Sequence, residues 1–341
     1  MDIPDIPGYR TLVCDFNLHT VFSDGLVWPT VRVDEAWREG LDAIAITDHL
    51  EYLPFQEDVR TGHNRAWEIA RDYSEGKDLI VIAGTEITRG IPPGHLNALF
   101  IKDADPILKD DPLKAIEEAA GQGAFIIWNQ HGWKGHQPDT LQWLDIHTRL
   151  FDKGWLHGIE VANDRESYPV AIDWAKEREL TMIGSSDEHD PFLHTISTAE
   201  NHRTCTFVFA AERSEGGIRE ALFNGRTAAF CGDSIIGKSS LLKALFLASV
   251  HLSRAEGENA AFTLHNPTDL VFEIILVDRV YEDWKVHTRL KPGYAFTFRP
   301  EPGTSAEDIQ LQVLNLITGA QEVLTFPLSG FSMAVQPGLE H

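Results

Sequence analysis

Cysteine is scarce in this chain: Cys14, Cys205 and Cys231 are the only three in 341 residues. An odd number at such wide spacing makes neither a disulfide framework nor a Cys-x-x-Cys metal knuckle, so the thiols read as small buried hydrophobes on strands. Positive charge is short as well, with 29 Lys+Arg against 52 Asp+Glu and a net charge of −23. That balance argues against a nucleic-acid partner or an anionic membrane surface, both of which need a basic face. Apolar runs fall short of the roughly eighteen residues a membrane-spanning helix requires, so no membrane insertion is expected. Long acidic blocks are missing too, and a hydrophobic content of 43% excludes wholesale disorder. What is left is an acidic globular chain whose length suggests two domains, at about 100–200 residues each.

Through the first two-thirds, short apolar runs alternate with amphipathic stretches. Strands are expected at 11–18, 42–47, 79–84, 95–101, 124–129, 157–162 and 181–185, and helices at 29–39, 61–76, 112–122, 168–179 and 214–224. Pro29 and Pro112 sit where a first helical turn tolerates proline. Strand and helix repeated in this way imply an α/β fold with a parallel sheet, closed as a barrel or open. Beyond about residue 245 apolar alternation with turn residues takes over, as in 270–278, 284–290 and 309–316, which suggests an all-β sandwich. The expected domains are a barrel over 1–238 and a sandwich over 239–338. Leu339-Glu340-His341 reads as the start of a vector-encoded tag, and Met1 is compatible with a removed signal peptide. Compartment, periplasm or cytoplasm, therefore stays open, as does oligomeric state.

Metal-ligand residue types track the strand ends. His19 and Asp24 follow the first strand, Asp48-His49 ends the second, Glu86 ends the third and His95 opens the fourth. Gln130-His131 follows the fifth, Glu160 lies in the sixth, and Ser186-Asp187-Glu188-His189 follows the seventh. In a barrel of parallel strands that end is where active sites are built. A mixture of imidazole nitrogen and carboxylate oxygen suits Zn, Mn or Fe, and a water held by such ions is a strong nucleophile near neutral pH. A multi-metal hydrolase follows from these residues.

The run from Asp15 to Gly25, followed by Gly40-Leu41-Asp42-Ala43-Ile44-Ala45-Ile46-Thr47-Asp48-His49, resembles the PHP (polymerase and histidinol phosphatase) family of metal-dependent phosphoesterases. Glu86, His95 and Ser186-Asp187-Glu188-His189 match its later motifs in order, so the resemblance spans roughly residues 10–232. It implies a distorted seven-stranded β/α barrel with two or three divalent ions. By that resemblance Asp24, His49 and His189 hold one ion, His19, Glu86 and Asp187 a second, and Glu86 bridges to a third held by His95. The pattern wants two further histidines where Asn17 and Gln130 stand, with His131 adjacent as a substitute for the latter. An amide oxygen is a weaker, harder ligand than imidazole, so sites using Asn17 or Gln130 should bind less tightly or shift toward Mn or Mg.

The expected reaction is hydrolysis of a small phosphate ester by a metal-bound hydroxide. Glu86 and Asp187 would orient the ions, His131 or Asp48 would assist proton transfer, and Arg89 and Arg65 would clamp the phosphate. Tyr52, His63, Trp133 and Lys134 lie on loops expected around the site. Three rival readings accompany this one. Gly232-Asp233-Ser234-Ile235-Ile236-Gly237-Lys238-Ser239 satisfies the P-loop pattern, but the β-patterned remainder lacks the parallel core of an NTPase. The two lost histidines motivate a binding or scaffold protein on a degenerate barrel, and the same chemistry also suits amide or lactone hydrolysis. In the tail Phe262, Phe272, Trp284, Tyr294 and Phe296 read as sandwich core rather than a carbohydrate platform.

Overall fold

The computed structural model describes residues 1–132, 141–192, 202–255, 261–280 and 284–331. It is a mixed α/β protein that divides into two compact units: residues 12–232 form one, and residues 1–11 join 233–341 in the other. The boundary between the two units follows Gly232. The first residues go with the tail because Asp2 N donates to Asp269 Oδ2 at 2.6 Å and Asp269 N to the Asp2 carbonyl at 3.2 Å.

In chain order the first unit contains β1 (Arg10–Asp15), α1 (Pro29–Glu39), β2 (Ala43–Ile46), α2 (Arg65–Ser74), β3 (Ile80–Ile87), β4 (His95–Leu99), α3 (Pro112–Gly121) and β5 (Phe125–Asn129). Then come α4 (Asp145–Asp152), β6 (Gly158–Asn163), β7 (Glu166–Ser167), α5 (Pro169–Arg178), β8 (Thr181–Ser185), β9 (Cys205–Ala210), α6 (Glu215–Phe223) and β10 (Thr227–Cys231). Helix boundaries follow local chemistry. α1 opens with Pro29 and closes at Gly40 in the left-handed region (φ 77°). Asp111 caps α3 by accepting from Leu113 N at 2.9 Å, and Ser214 caps α6 from Gly217 N at 3.0 Å.

Every residue of β2, β5, β6 and β8 is buried, the unbroken pattern of strands covered on both faces. Leu12, Phe16, Ile82, Phe125, Ile183 and Val208 meet in one core cluster. The sheet order is β10-β9-β1-β2-β3-β4-β5-β6-β8. β1, β2 and β3 run parallel, as do β5, β6 and β8. β4 departs from the expected parallel series: it is antiparallel to both β3 and β5, pairing Glu86 with Asn97 and His95 with Asn129. The connection over 88–94 is too short for the crossover of roughly a dozen residues that a parallel neighbour needs. β8 is bound to β9 and β10 by side chains: Thr206 Oγ1 accepts from Gly184 N and donates to Gly184 O, and Thr227 Oγ1 donates to Met182 O.

The second unit carries β11 (Ser234–Gly237), α7 (Ser239–Ser249), β12 (His251–Arg254), β13 (Phe262–His265), β14 (Phe272–Asp278), β15 (Lys285–Leu290), β16 (Ala295–Phe298), β17 (Ile309–Gly319) and β18 (Glu322–Pro327). β12, β13 and β16 form one antiparallel sheet. In the other, β17 pairs with β14, β18 and β11. β14 alternates buried and half-buried residues along its length, and Phe246 of α7 packs edge-on to Phe272 at 5.0 Å. Phe262 and Phe272 are core residues as expected, but Tyr294 is exposed. The P-loop pattern is a turn and a strand: Ile235 and Ile236 pair parallel with Leu316 and Ile317, so their amides serve a sheet rather than a phosphate.

Candidate metal centre

The predicted ligands gather at one end of the first unit. His19 and Asp24 lie on the loop after β1, His49 just past β2, Glu86 near the end of β3, and Asp187 and His189 just past β8. His95 opens its strand, yet it reaches the same end because β4 runs the opposite way, opposite Asn129 at the end of β5.

Buried polar contacts shape the two loops that carry most ligands. Asp48 accepts from Thr20 N (2.7 Å), Thr20 Oγ1 (2.7 Å) and Ser23 Oγ (2.6 Å), folding the 19–25 loop over the end of β2. Gly25 closes that loop against its own start, where a Cβ would lie 2.5 Å from the His19 carbonyl carbon and oxygen. Gly25→Ala is therefore expected to destabilise the protein by about 1–3 kcal/mol and to weaken metal binding, read by thermal melts with and without Mn. Arg32, fully buried on α1, donates to the carbonyls of His19 (2.9 Å), Glu188 (2.9 Å) and Asp190 (2.7 Å), stitching the first ligand loop to the last. Beneath Asp187, the buried Asp15 carboxylate takes Ser186 Oγ at 2.5 Å and Arg203 Nη1 at 3.0 Å, while Arg203 also forks onto Glu39.

Three imidazoles converge on one carboxylate oxygen. Asp24 Oδ1 lies 3.3 Å from Nε2 of both His49 and His189 and 3.9 Å from His19 Nδ1. His19 stacks face to face with His49 (4.4 Å between centroids) and with His189 (4.2 Å). One ligand atom from each of these four residues lies within 4.8 Å of the others. Asp24 Oδ1, His19 Nδ1 and Glu86 Oε2 are buried with no hydrogen-bond partner among the described residues, a state costly for polar atoms unless a cation satisfies them. A second group joins His49, Glu86 and His95. Glu86 Oε1 is 2.7 Å from His95 Nδ1 and 3.0 Å from His49 Nδ1, and Thr88 Oγ1 donates to it at 3.2 Å. The residues fit divalent cations with nitrogen and oxygen ligands.

The same geometry sets the protonation balance. Burial alone would raise the Asp24 carboxyl, but the imidazoles of His189 and His49 hold it far below the usual range. Burial alone would lower His49 and His189, yet Glu86 and Asp24 push His49 up to about 11, and Asp24 with Asp187 pushes His189 up to about 9. Buried Glu86 is held well below its ordinary value by His49 and His95.

The cluster floors a cavity of about 640 Å³ whose walls include Tyr52, Tyr168, Asn163, Asp164 and Glu166. Gln130 (φ 47°), Asp164 (φ 50°) and Asp187 (φ 56°) all line it in the left-handed region, where residues other than glycine collect at functional sites. Other expected site residues are placed elsewhere. Arg89 pairs with Glu51 at 2.7 Å and donates to the Lys109 carbonyl, which leaves it under the site rather than on a phosphate. Arg65 pairs with Glu68 on the exposed face of α2, and His63 lines a separate hollow. Trp133 and Lys134 lie outside the described residues. Asp48 spends its carboxylate on the 19–25 loop, so Asp48→Asn is expected to lower stability by about 1–3 kcal/mol without moving either limb of a pH–rate profile.

His131 also points away from the cluster. Its Nε2 donates to the Glu160 carbonyl at 2.6 Å, and its ring packs 5.0 Å from Trp128 and 4.8 Å from Tyr168. Nearby His147 stacks on Trp128 at 3.6 Å and donates to the Pro93 carbonyl. Burial brings both imidazoles down to about 4. A histidine held below its unfolded value near 6.5 contributes fully above that pH and loses the contribution as pH falls through the folded value. Acidification from pH 6.5 to 4 should thus cost up to about 3 kcal/mol per residue. Urea midpoints across that range check this, with a shallower slope expected for His147→Gln.

A solved two-domain protein from Bacteroides vulgatus, containing a predicted PHP-like metal-dependent phosphoesterase, is 44% identical to this chain. It superposes with a TM-score of 0.91, over 95% of this chain and 96% of that one. The chain belongs to the PHP-like metal-dependent phosphoesterase family. An uncharacterized protein of Methanocaldococcus jannaschii is 36% identical over 91 residues, and that match spans 27% of this chain and 40% of the relative. Histidinol phosphate phosphatase from Lactococcus lactis, complexed with Zn, histidinol and phosphate, is 15% identical at a TM-score of 0.33, covering 66% of this chain and 98% of its own. No protein-family model matches the chain.

Several working residues of this PHP unit are not apparent from strand-end positions. Arg32 carried a signal, being an arginine among the buried α1 positions Pro29, Val33 and Ala36. Thr88, the Asp15–Ser186–Arg203 network and the contacts of Glu160 join distant segments, and nothing local announces them.

Proposed function

We propose that this PHP protein is a metal-dependent phosphoesterase that hydrolyses a small phosphate ester. The observation that carries the reading is the convergence of His19, His49 and His189 on the buried Asp24 oxygen at the floor of an open cavity. Divalent ions held there and by Glu86 and His95 would supply Lewis-acid stabilisation of the phosphoryl oxygens and a water of lowered pKa as the nucleophile. The chain's own residues do the positioning. Thr88 fixes both His49 Nδ1 and Glu86 Oε1, and the Glu51–Arg89 pair braces Thr88 through its amide. Tyr52 and Tyr168 offer apolar walls to the alcohol portion of the ester, with Asn163, Asp164 and Glu166 as its polar contacts. No lysine or arginine is among the described residues lining the cavity, so the phosphate's charge is met by the ions.

The proposal extends to the architecture. The side-chain bonds from β9 and β10 to β8 support closure of the first unit as a distorted barrel. The two sheets of the second unit, with their alternating burial, support a sandwich. Assay of the Mn-loaded protein against aryl phosphate monoesters and diesters, aryl esters, lactones and amides tests the reaction class. Phosphate substrates should be preferred by at least a hundredfold in kcat/KM. Turnover confined to carbonyl substrates, or none at all, would overturn the assignment.

A further inference from the structure

We infer that Tyr168 is a phosphate-binding residue of the cavity: its hydroxyl donates a hydrogen bond to a phosphoryl oxygen of the bound ester, while Gly132 and His131 hold its ring in place. The inference rests on the phosphoesterase reading above and adds a protein contact to the charge that the ions supply.

A phosphoryl group keeps oxygens that face away from the ions, and a donor already aimed at them stabilises their charge without reorganisation. The neutral side-chain donors among the described residues lining the cavity are Tyr52, Thr88, Gln130, Asn163 and Tyr168. Three of these are committed to carboxylates of the protein. Thr88 Oγ1 donates to Glu86 at 3.2 Å, Gln130 Nε2 to Asp187, and Asn163 Nδ2 to Glu160 at 2.9 Å. The two tyrosine hydroxyls have no hydrogen-bond partner among the described residues. Tyr52 is 54% exposed and faces bulk water, whereas Tyr168 is only 8% exposed. In such surroundings water competes less for an anionic oxygen and the bond is stronger. A phenol with an ordinary pKa of about 10 is a donor at neutral pH.

The Tyr168 ring is fixed before any substrate arrives. Pro169 opens α5 and keeps Tyr168 out of the helical region, at φ −117° and ψ 86°. Its amide N–H donates to the Val161 carbonyl of β6 at 2.8 Å, and its own carbonyl accepts from Ala171 N at 2.9 Å. On one side the ring lies against Gly132, where a Cβ would fall within 2.8 Å of ring carbons Cε1, Cδ1 and Cζ. Glycine is therefore the residue that lets the ring lie there. His131 meets the ring edge-on at 4.8 Å and is itself tied to the Glu160 carbonyl. The same segment carries Gln130, whose amide reaches Asp187, so the phenol is braced by the strand end that also touches the ligand cluster.

Calorimetric titration of the Mn-loaded protein with inorganic phosphate tests the contact without requiring turnover. Tyr168→Phe keeps the ring and removes only the hydroxyl, so the melting midpoint and the Mn bound per chain should be unchanged. Phosphate affinity should fall about ten- to a hundredfold, the range of a hydrogen bond to a charged acceptor. Equal phosphate affinity in the wild type and Tyr168→Phe, or a loss of affinity that tracks lost Mn, overturns the inference. Phosphate binding that depends on Tyr168 in a chain without phosphate-ester turnover would leave this inference standing and remove the proposed activity. Turnover of phosphate esters with undiminished phosphate affinity in Tyr168→Phe would do the reverse.

Discussion

Asp24→Asn is expected to lower kcat/KM by on the order of a thousandfold or more, with tight metal binding lost in parallel. The carboxylate oxygen is the point on which three imidazoles converge, so an amide there puts a neutral, weaker ligand at the centre of the cluster and no longer offsets the ion's charge. Metal-ion catalysis is worth several kcal/mol of transition-state stabilisation, and about 1.36 kcal/mol is a factor of ten in rate. The loss should fall on kcat and on the Mn concentration needed for half-maximal rate, while the melting midpoint of the chelated protein falls, because the metal-free cluster loses the carboxylate that His49 and His189 hold ionised. Steady-state kinetics over a Mn series, beside melts in chelator, measure both halves.

Arg32→Ala carries the largest expected stability effect, about 3–5 kcal/mol. The guanidinium is completely buried and serves three carbonyls from two loops together with the Glu35 carboxylate at 2.9 Å. Truncation leaves those acceptors buried and unpaired, the costly half of any hydrogen-bond deletion. Arg32→Lys should rescue less than half of the loss, because an ammonium lacks the planar fork that reaches all the partners at once. Urea unfolding gives the stability. A weaker Mn dissociation constant in the lysine variant, under conditions where it is fully folded, would show that the same arginine holds the His19 and His189 loops in register.

Much of the candidate ligand cluster was legible because metal chemistry restricts residue types and a β/α fold restricts their places. His19, Asp24, His49, Glu86 and His189 could be marked from strand ends, and the structure brings them together. Helix α1 was readable to its ends, since Pro29 and Gly40 punctuate it. Helix α4 was not, because it is only eight residues long and buries only His147 and Leu150. The reversal of β4 hides in the length of one connection. The partners of Arg203 are invisible for a different reason: Asp15 lies 188 residues away, and no local pattern couples such positions. Arg89 and Arg65 had the right residue type beside the site, but carboxylates nearer to each claim them.

The most direct test strips the protein with chelator, removes the chelator, and follows phosphate release from an aryl phosphate before and after adding Mn. Negligible release that returns at least a hundredfold with Mn, and stays negligible in Asp24→Asn, is the predicted result. Release unaffected by stripping, or equal in wild type and Asp24→Asn, would contradict a metal-dependent centre at Asp24.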